Sequence, residues 1–188
     1  MPKITISQVM KALPKIESGL QKYLCLRDRI LTENVAKNDD FQRDYNHFFR
    51  VRQKSQEFYT EYYKFMEKHK NDKALTYEAV LKHLYRIEGK VEASFASKLL
   101  SMINPDLPVL DRQVLENLDV KLSRPTDHKK RIECSLAAYE EICEWYKNHF
   151  KSGEAKEWIK LFDGHYPEAK NKITDVKKID LILWQIRD

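Results

Sequence analysis

Only four glycines and six prolines punctuate the 188 residues of this chain. Hairpins and tight sheet connections draw their special dihedral angles from those two residue types. A chain poor in both, and rich in Lys, Glu, Leu, Ile and Ala, is restricted to helices. The apolar pattern agrees, because it recurs at three- and four-residue spacing and no segment alternates with the period of a strand. The expectation is an all-α fold, a compact multi-helix domain over 1–188 with candidate lobes 1–104 and 105–188.

Start and stop signals divide the chain further. Ser7 is the expected cap of a first helix carrying Val9, Met10, Leu13, Ile16 and Leu20, kinked near Pro14 and Gly19. Asn38-Asp39-Asp40 opens a second, in which Phe41, Tyr45, Phe48, Phe49, Phe58, Tyr62 and Met66 predict helix to about Lys70. Thr76 caps Tyr77 to Glu88, and Gly89 ends it. Ala93 to Ile103 follows, stopped at Asn104-Pro105, and Asp111 opens a short helix with Val114, Leu115 and Leu118. Beyond a polar joint at Ser123-Arg124-Pro125-Thr126 a long helix carries Ile132, Leu136, Tyr139, Ile142, Tyr146 and Phe150. Gly153 separates it from Ala155 to Phe162, Gly164 breaks the chain again, and Thr174 caps a final helix that docks through Leu181-Ile182-Leu183-Trp184.

Charge limits the partners. The net charge is +5, with 19 Lys and Arg against 13 Asp and Glu in residues 1–104 and 15 against 16 in 105–188. A basic N-terminal half suits a polyanion, although lysine-rich helical surfaces also arise for solubility alone. The aromatic stripe of 41–66, interleaved with Arg43, Arg50, Arg52 and Lys54, has two readings: a core face, or a platform that stacks bases. Cys25, Cys134 and Cys143 form no C-x-x-C pair, which points to reduced thiols, with Cys134 and Cys143 facing the core. No apolar run reaches membrane-spanning length, and Met1 to Leu20 lacks the apolar core of a signal peptide. The expectation is a cytoplasmic protein with no membrane partner. Six histidines without ligand spacing, and no phosphate-loop or nucleophile-elbow motif, imply no metal and no cofactor.

One segment carries chemistry. In Gly89 to Leu118, GKVEASFASKLLSMINPDLPVLDRQVLENL, a small-residue helix runs through Asn104-Pro105 into Leu107-Pro108-Val109-Leu110-Asp111. An acid behind a proline-stiffened turn, at a helix start, is held in a fixed place where negative charge is favoured. Beside a sugar, such a carboxylate stabilises an oxocarbenium-like transition state or orients an attacking water.

Ala96-Ser97-Lys98-Leu99-Leu100, followed by Leu107-Pro108-Val109-Leu110-Asp111-Arg112-Gln113-Val114, resembles the helix-hairpin-helix DNA glycosylase superfamily over about 30 residues. The resemblance implies an all-helical fold, DNA as partner, base excision and Asp111 as the catalytic carboxylate. It departs from that pattern at the hairpin, where Ile87-Glu88-Gly89 stands for the usual glycine-rich turn and Val91 for the second glycine. It departs also at the Schiff-base lysine of bifunctional members. That region holds Glu92, Ala93 and Ser94, with Lys90 and Lys98 on either side. The iron–sulphur cysteines of some members are missing. The candidate site is then Asp111 and Lys98 for catalysis, with Gly89, Lys90, Ser94, Arg112, Arg50 and Arg52 for nucleic acid. Two functions stand open: a divergent glycosylase acting on DNA, and a non-catalytic helical binding protein whose partner is nucleic acid or protein.

Overall fold

A computed structural model describes residues 4–187. The first residues of the Met1–Leu20 stretch and the extreme ends of the two candidate lobes lie outside the described residues. The described residues form ten α-helices and two 3-10 turns, with no strand. The all-α expectation holds. The helices are α1 (Ile6–Ala12), α2 (Glu17–Thr32), α3 (Asp39–Phe49), α4 (Gln56–His69), α5 (Tyr77–Glu88), α6 (Ala93–Ile103), α7 (Arg112–Leu118), α8 (His128–Ser152), α9 (Glu154–His165) and α10 (Asp175–Gln185). Among the described residues no helix is long and apolar enough to cross a membrane.

Local chemistry sets most boundaries. Asn38, Ser55, Thr76, Asp111, Asp127 and Thr174 each accept a backbone N–H of the helix they open. Such a cap satisfies one of the amides that a helix start leaves unpaired. The first helix is capped by Thr5 rather than Ser7, through a reciprocal box in which the Gln8 side chain returns a bond to the Thr5 N–H. Pro14 does interrupt it, as a 3-10 turn over Leu13–Lys15. Gly164 lies inside α9 and breaks nothing.

The aromatic stripe is two helices, not one. The chain leaves α3 at Arg50 and turns before α4, with Arg50 and Gln53 both at positive φ. Phe41, Tyr45, Phe49, Phe58, Tyr62 and Tyr63 are all buried by that fold-back. The Tyr45 and Tyr62 hydroxyls bond each other at 2.9 Å, and Tyr62 donates to the Phe95 carbonyl at 3.1 Å. Burial pushes both phenols well above their ordinary range. These rings are core. They do not wall a pocket, which settles the two readings of the stripe in favour of packing.

One continuous apolar cluster runs through the molecule, joining Val9 and Leu13 near the start to Ile179 and Ile182 near the end. At its centre lies α6, where every residue from Ala96 to Ile103 is buried. α5 and α4 pack against it, and its Ser97 bonds the 104–111 segment, which Asp180 of α10 also holds. Cys143 is half-buried and packs against this core, as expected; Cys134 is half-buried, and Cys25 is exposed.

Candidate functional site

Three helices converge on the segment that leads to Asp111. From α6, the Ser97 hydroxyl accepts the Leu110 N–H at 2.9 Å and lies 3.0 Å from the Leu110 carbonyl. From α8, Tyr139 donates to the Pro108 carbonyl at 3.2 Å. From the start of α10, Thr174 donates to the Pro105 carbonyl at 2.6 Å. Deeper in α10, fully buried Asp180 accepts the Val109 N–H in a long bond of 3.5 Å. Extended chain inside a protein must find partners for its amides and carbonyls, and this segment finds them on side chains.

Asp180 sits in a sealed network of its own. Lys177 Nζ lies 2.7 Å from its Oδ2, and the Tyr146 hydroxyl donates to its Oδ1. The Lys177 ammonium also faces the Tyr23 ring at 5.2 Å. Desolvation raises the Asp180 pKa, and Lys177 opposes that rise. Tyr146 is held well above its ordinary value by burial, then by Asp180 and more weakly by Asp111.

Asp111 itself is half-buried at the mouth of α7. Its Oδ1 accepts the Val114 N–H at 3.0 Å. No described residue gives a hydrogen bond or ion pair to Oδ2. The carboxylate lines an open cleft of about 650 Å³ whose walls also include Lys90, Glu92, Ser94, Arg112, Arg124, Arg131 and Ser135. That volume falls in the usual range of small-molecule sites, about 300–1,000 Å³.

The cleft is electrically balanced. Lys90, Arg112, Arg124 and Arg131 face Glu92, Asp111, Glu116 and Asp119. Arg112 pairs with Glu116 at 2.6 Å, and Glu92 is bound by Lys54. Outside those pairs, Lys90, Arg124 and Arg131 are left with Asp111 and Asp119.

Of the residues the sequence singled out, the structure brings Asp111, Lys90, Ser94 and Arg112 together in the cleft. Gly89 ends α5 at φ 66°, as the backbone there requires, and begins the hairpin that places Lys90. Arg52 is exposed and does not line the cleft, nor does Arg50.

Lys98 is absent from the cleft wall too, and it is not a surface lysine. It is buried, at 8 % exposure, with its ammonium 6.0 Å from the Phe95 ring. No ion pair to it is present among the described residues. Burial lowers its pKa; the Asp111 carboxylate pulls it back up, and Arg50 pushes it down. Lys98 thus feels the charge of Asp111 without lining the cleft.

Sequence reasoning missed Ser97, Arg124 and Arg131. The signal for the arginines was present in the joint after α7, which reads as a linker until α8 folds back beside it. For Ser97 no signal existed short of the fold, because its partner lies 13 residues away. Among the described residues no group of His, Cys, Asp and Glu is placed to hold a metal ion.

Comparison with protein-family models, with curated proteins and with solved structures finds no match to this chain.

Proposed function

We propose that the chain is a divergent, glycosylase-like protein that binds DNA and presents Asp111 to the sugar of a nucleotide drawn into the cleft. The observation that carries the proposal is the division of labour within one carboxylate. Oδ1 of Asp111 is anchored to its helix, while Oδ2 is left for the cleft. A group so held has a fixed direction and needs no reorganisation to oppose positive charge as it develops on a sugar ring. Base extrusion would bring that sugar within reach, since a glycosidic bond is not accessible inside a stacked duplex.

In the chemistry proposed, the bond between sugar carbon and base nitrogen breaks, and the base leaves with the bonding pair. The oxocarbenium character this creates is opposed by Asp111, and a water then adds to the same carbon, its proton going to the departed base. Lys98 acts through Asp111 in this scheme. Its charge supports the carboxylate electrostatically from outside the cleft wall.

A second function, non-catalytic binding, is favoured by one observation: capping α7 is a sufficient structural reason for an aspartate at 111. Incubation with duplexes that carry deaminated, alkylated and oxidised bases separates the two. Release of a base by the wild type, lost in Asp111→Asn, is expected for an enzyme. Duplex binding without release from any lesion leaves the binding protein.

A further inference from the structure

The joint between α7 and α8 borders the cleft, and its charge is unlike that of its surroundings. Between residues 119 and 131 stand Lys121, Arg124, Lys129, Lys130 and Arg131, against Asp119 and Asp127. Arg124 and Arg131 line the cleft with Asp111, and Lys121, Lys129 and Lys130 are exposed. None of the five side chains pairs with an acid among the described residues. Arg131 Nε donates to the Pro125 carbonyl at 2.9 Å, which fixes the base of that side chain. Asp127 is committed elsewhere, since its Oδ1 accepts the Lys130 N–H at 2.7 Å as the cap of α8.

Two further features identify what this surface fits. His128-Lys129-Lys130-Arg131 fills the first turn of a 25-residue helix, and no acid occupies that turn. Backbone dipoles make a helix N-terminus positive, so the three cations there, Lys129, Lys130 and Arg131, oppose the field and each other. Of the other helices, α2, α3, α4, α5, α9 and α10 begin with at least one acid. α1, α6 and α7 have none there, but they do not begin with a run of cations either. Lys129 and Lys130 gain no ion pair from the arrangement among the described residues.

The rim also lacks an apolar anchor: among the described residues the large hydrophobics left exposed are Met10 and Leu31, both far from it in the chain. Protein hot spots and membrane-bound helices both rely on buried aromatic or aliphatic side chains. Unpaired lysines and forked arginines without such an anchor suit phosphates. The rim is tied to the opposite wall as well, for His128 Nδ1 meets the Tyr85 hydroxyl at 3.0 Å, just ahead of Gly89 and Lys90.

We propose that residues 121–131 are the backbone-binding rim of the cleft, seating the phosphates of a DNA duplex on Arg124, Lys129, Lys130 and Arg131. The strand then crosses the mouth of the cleft in front of Asp111. This rests on the DNA reading above and moves its contact surface away from Arg50 and Arg52. Most of the phosphate contact is carried by the half of the chain whose overall charge is slightly negative.

The test compares the triple variant Arg124→Gln/Lys129→Gln/Lys130→Gln with a control triple, Lys11→Gln/Lys15→Gln/Lys22→Gln, whose lysines are equally exposed but lie on α1, α2 and the turn between them. Affinity of the full chain for an undamaged duplex is measured across a salt series, after cooperative melting confirms that both variants fold. Removal of three phosphate contacts is expected to flatten the log–log salt slope by about 0.9 for each and to weaken low-salt binding roughly tenfold or more. The control is expected to keep the wild-type slope. Equal slopes and affinities for the two triples would overturn the rim, and so would a wild type that binds no duplex at low salt. Because the assay reads binding to intact DNA, a rim effect seen without base release keeps the surface and removes only the chemistry.

Discussion

Ser97 and Leu110 hold each other by both backbone groups of Leu110, the N–H at 2.9 Å and the carbonyl at 3.0 Å from one hydroxyl. The contact ties the central helix to the residue just before Asp111, and both partners are buried. Ser97→Ala strands the Leu110 amide in the interior, which costs about 1–3 kcal/mol. Denaturant unfolding of the variant should show that loss. On the glycosylase account base release should fall further than stability explains, because Asp111 is no longer fixed.

The same logic covers Asp180. Asp180→Ala leaves the Lys177 ammonium buried without its partner and is expected to cost about 3–5 kcal/mol. Replacing both, as Lys177→Met/Asp180→Leu, removes the unpaired charge and should recover much of the stability in equilibrium unfolding. The double variant still lacks the Val109 contact, so recovery of stability without recovery of base release would show that the network serves the Asp111 segment.

Lys98 gives a pH signature. Its pKa in the folded chain lies below the ordinary lysine value, chiefly because burial disfavours the charged form. Between the folded and unfolded values the unfolded chain binds more protons, so stability rises with pH in that window. The penalty is complete below the folded pKa and vanishes above the unfolded value of about 10.4. Lys98→Met, close in volume and uncharged, is expected to match or exceed the wild type in stability at neutral pH. Melting curves of the pair from neutral to alkaline pH should converge as the wild type sheds its penalty.

The elements that were legible from sequence are those set by neighbours along the chain. Thr76, Gly89, Asp111 and Thr174 mark helix ends through bonds to residues three or four away, and each does so in the structure. The break at Arg50 to Ser55 was not legible, because the aromatic spacing continues across it and its positive-φ residues are Arg and Gln rather than Gly. Nor was the burial of Lys98, whose helix is enclosed only once α4, α5 and the 104–111 segment have closed around it. In the cleft, Asp111 and its neighbours Lys90, Ser94 and Arg112 could be named in advance. Arg124 and Arg131 were in view only as a polar joint and a helix start, and what they face is set by the fold-back of α8.

Charge at the start of α8 should trade stability against binding. Lys129→Glu places an acid at the positive end of the helix and is expected to stabilise the fold by about 0.3–1 kcal/mol at low ionic strength. Chemical denaturation measures the gain, and added salt should shrink it. The same variant should bind duplex DNA more weakly than the wild type.

The central claim is that Asp111 opposes positive charge on a sugar held in the cleft. A duplex bearing a cationic pyrrolidine in place of one deoxyribose mimics that charge, and a neutral tetrahydrofuran at the same position is its uncharged counterpart. Dissociation constants for both, with the wild type and Asp111→Asn, isolate the carboxylate, since Asn caps a helix as well as Asp does. The expected result is a preference of about 100-fold or more for the pyrrolidine duplex in the wild type, collapsing in Asp111→Asn. Equal affinity of the wild type for the two duplexes, or a preference that survives the substitution, would contradict the assignment of Asp111.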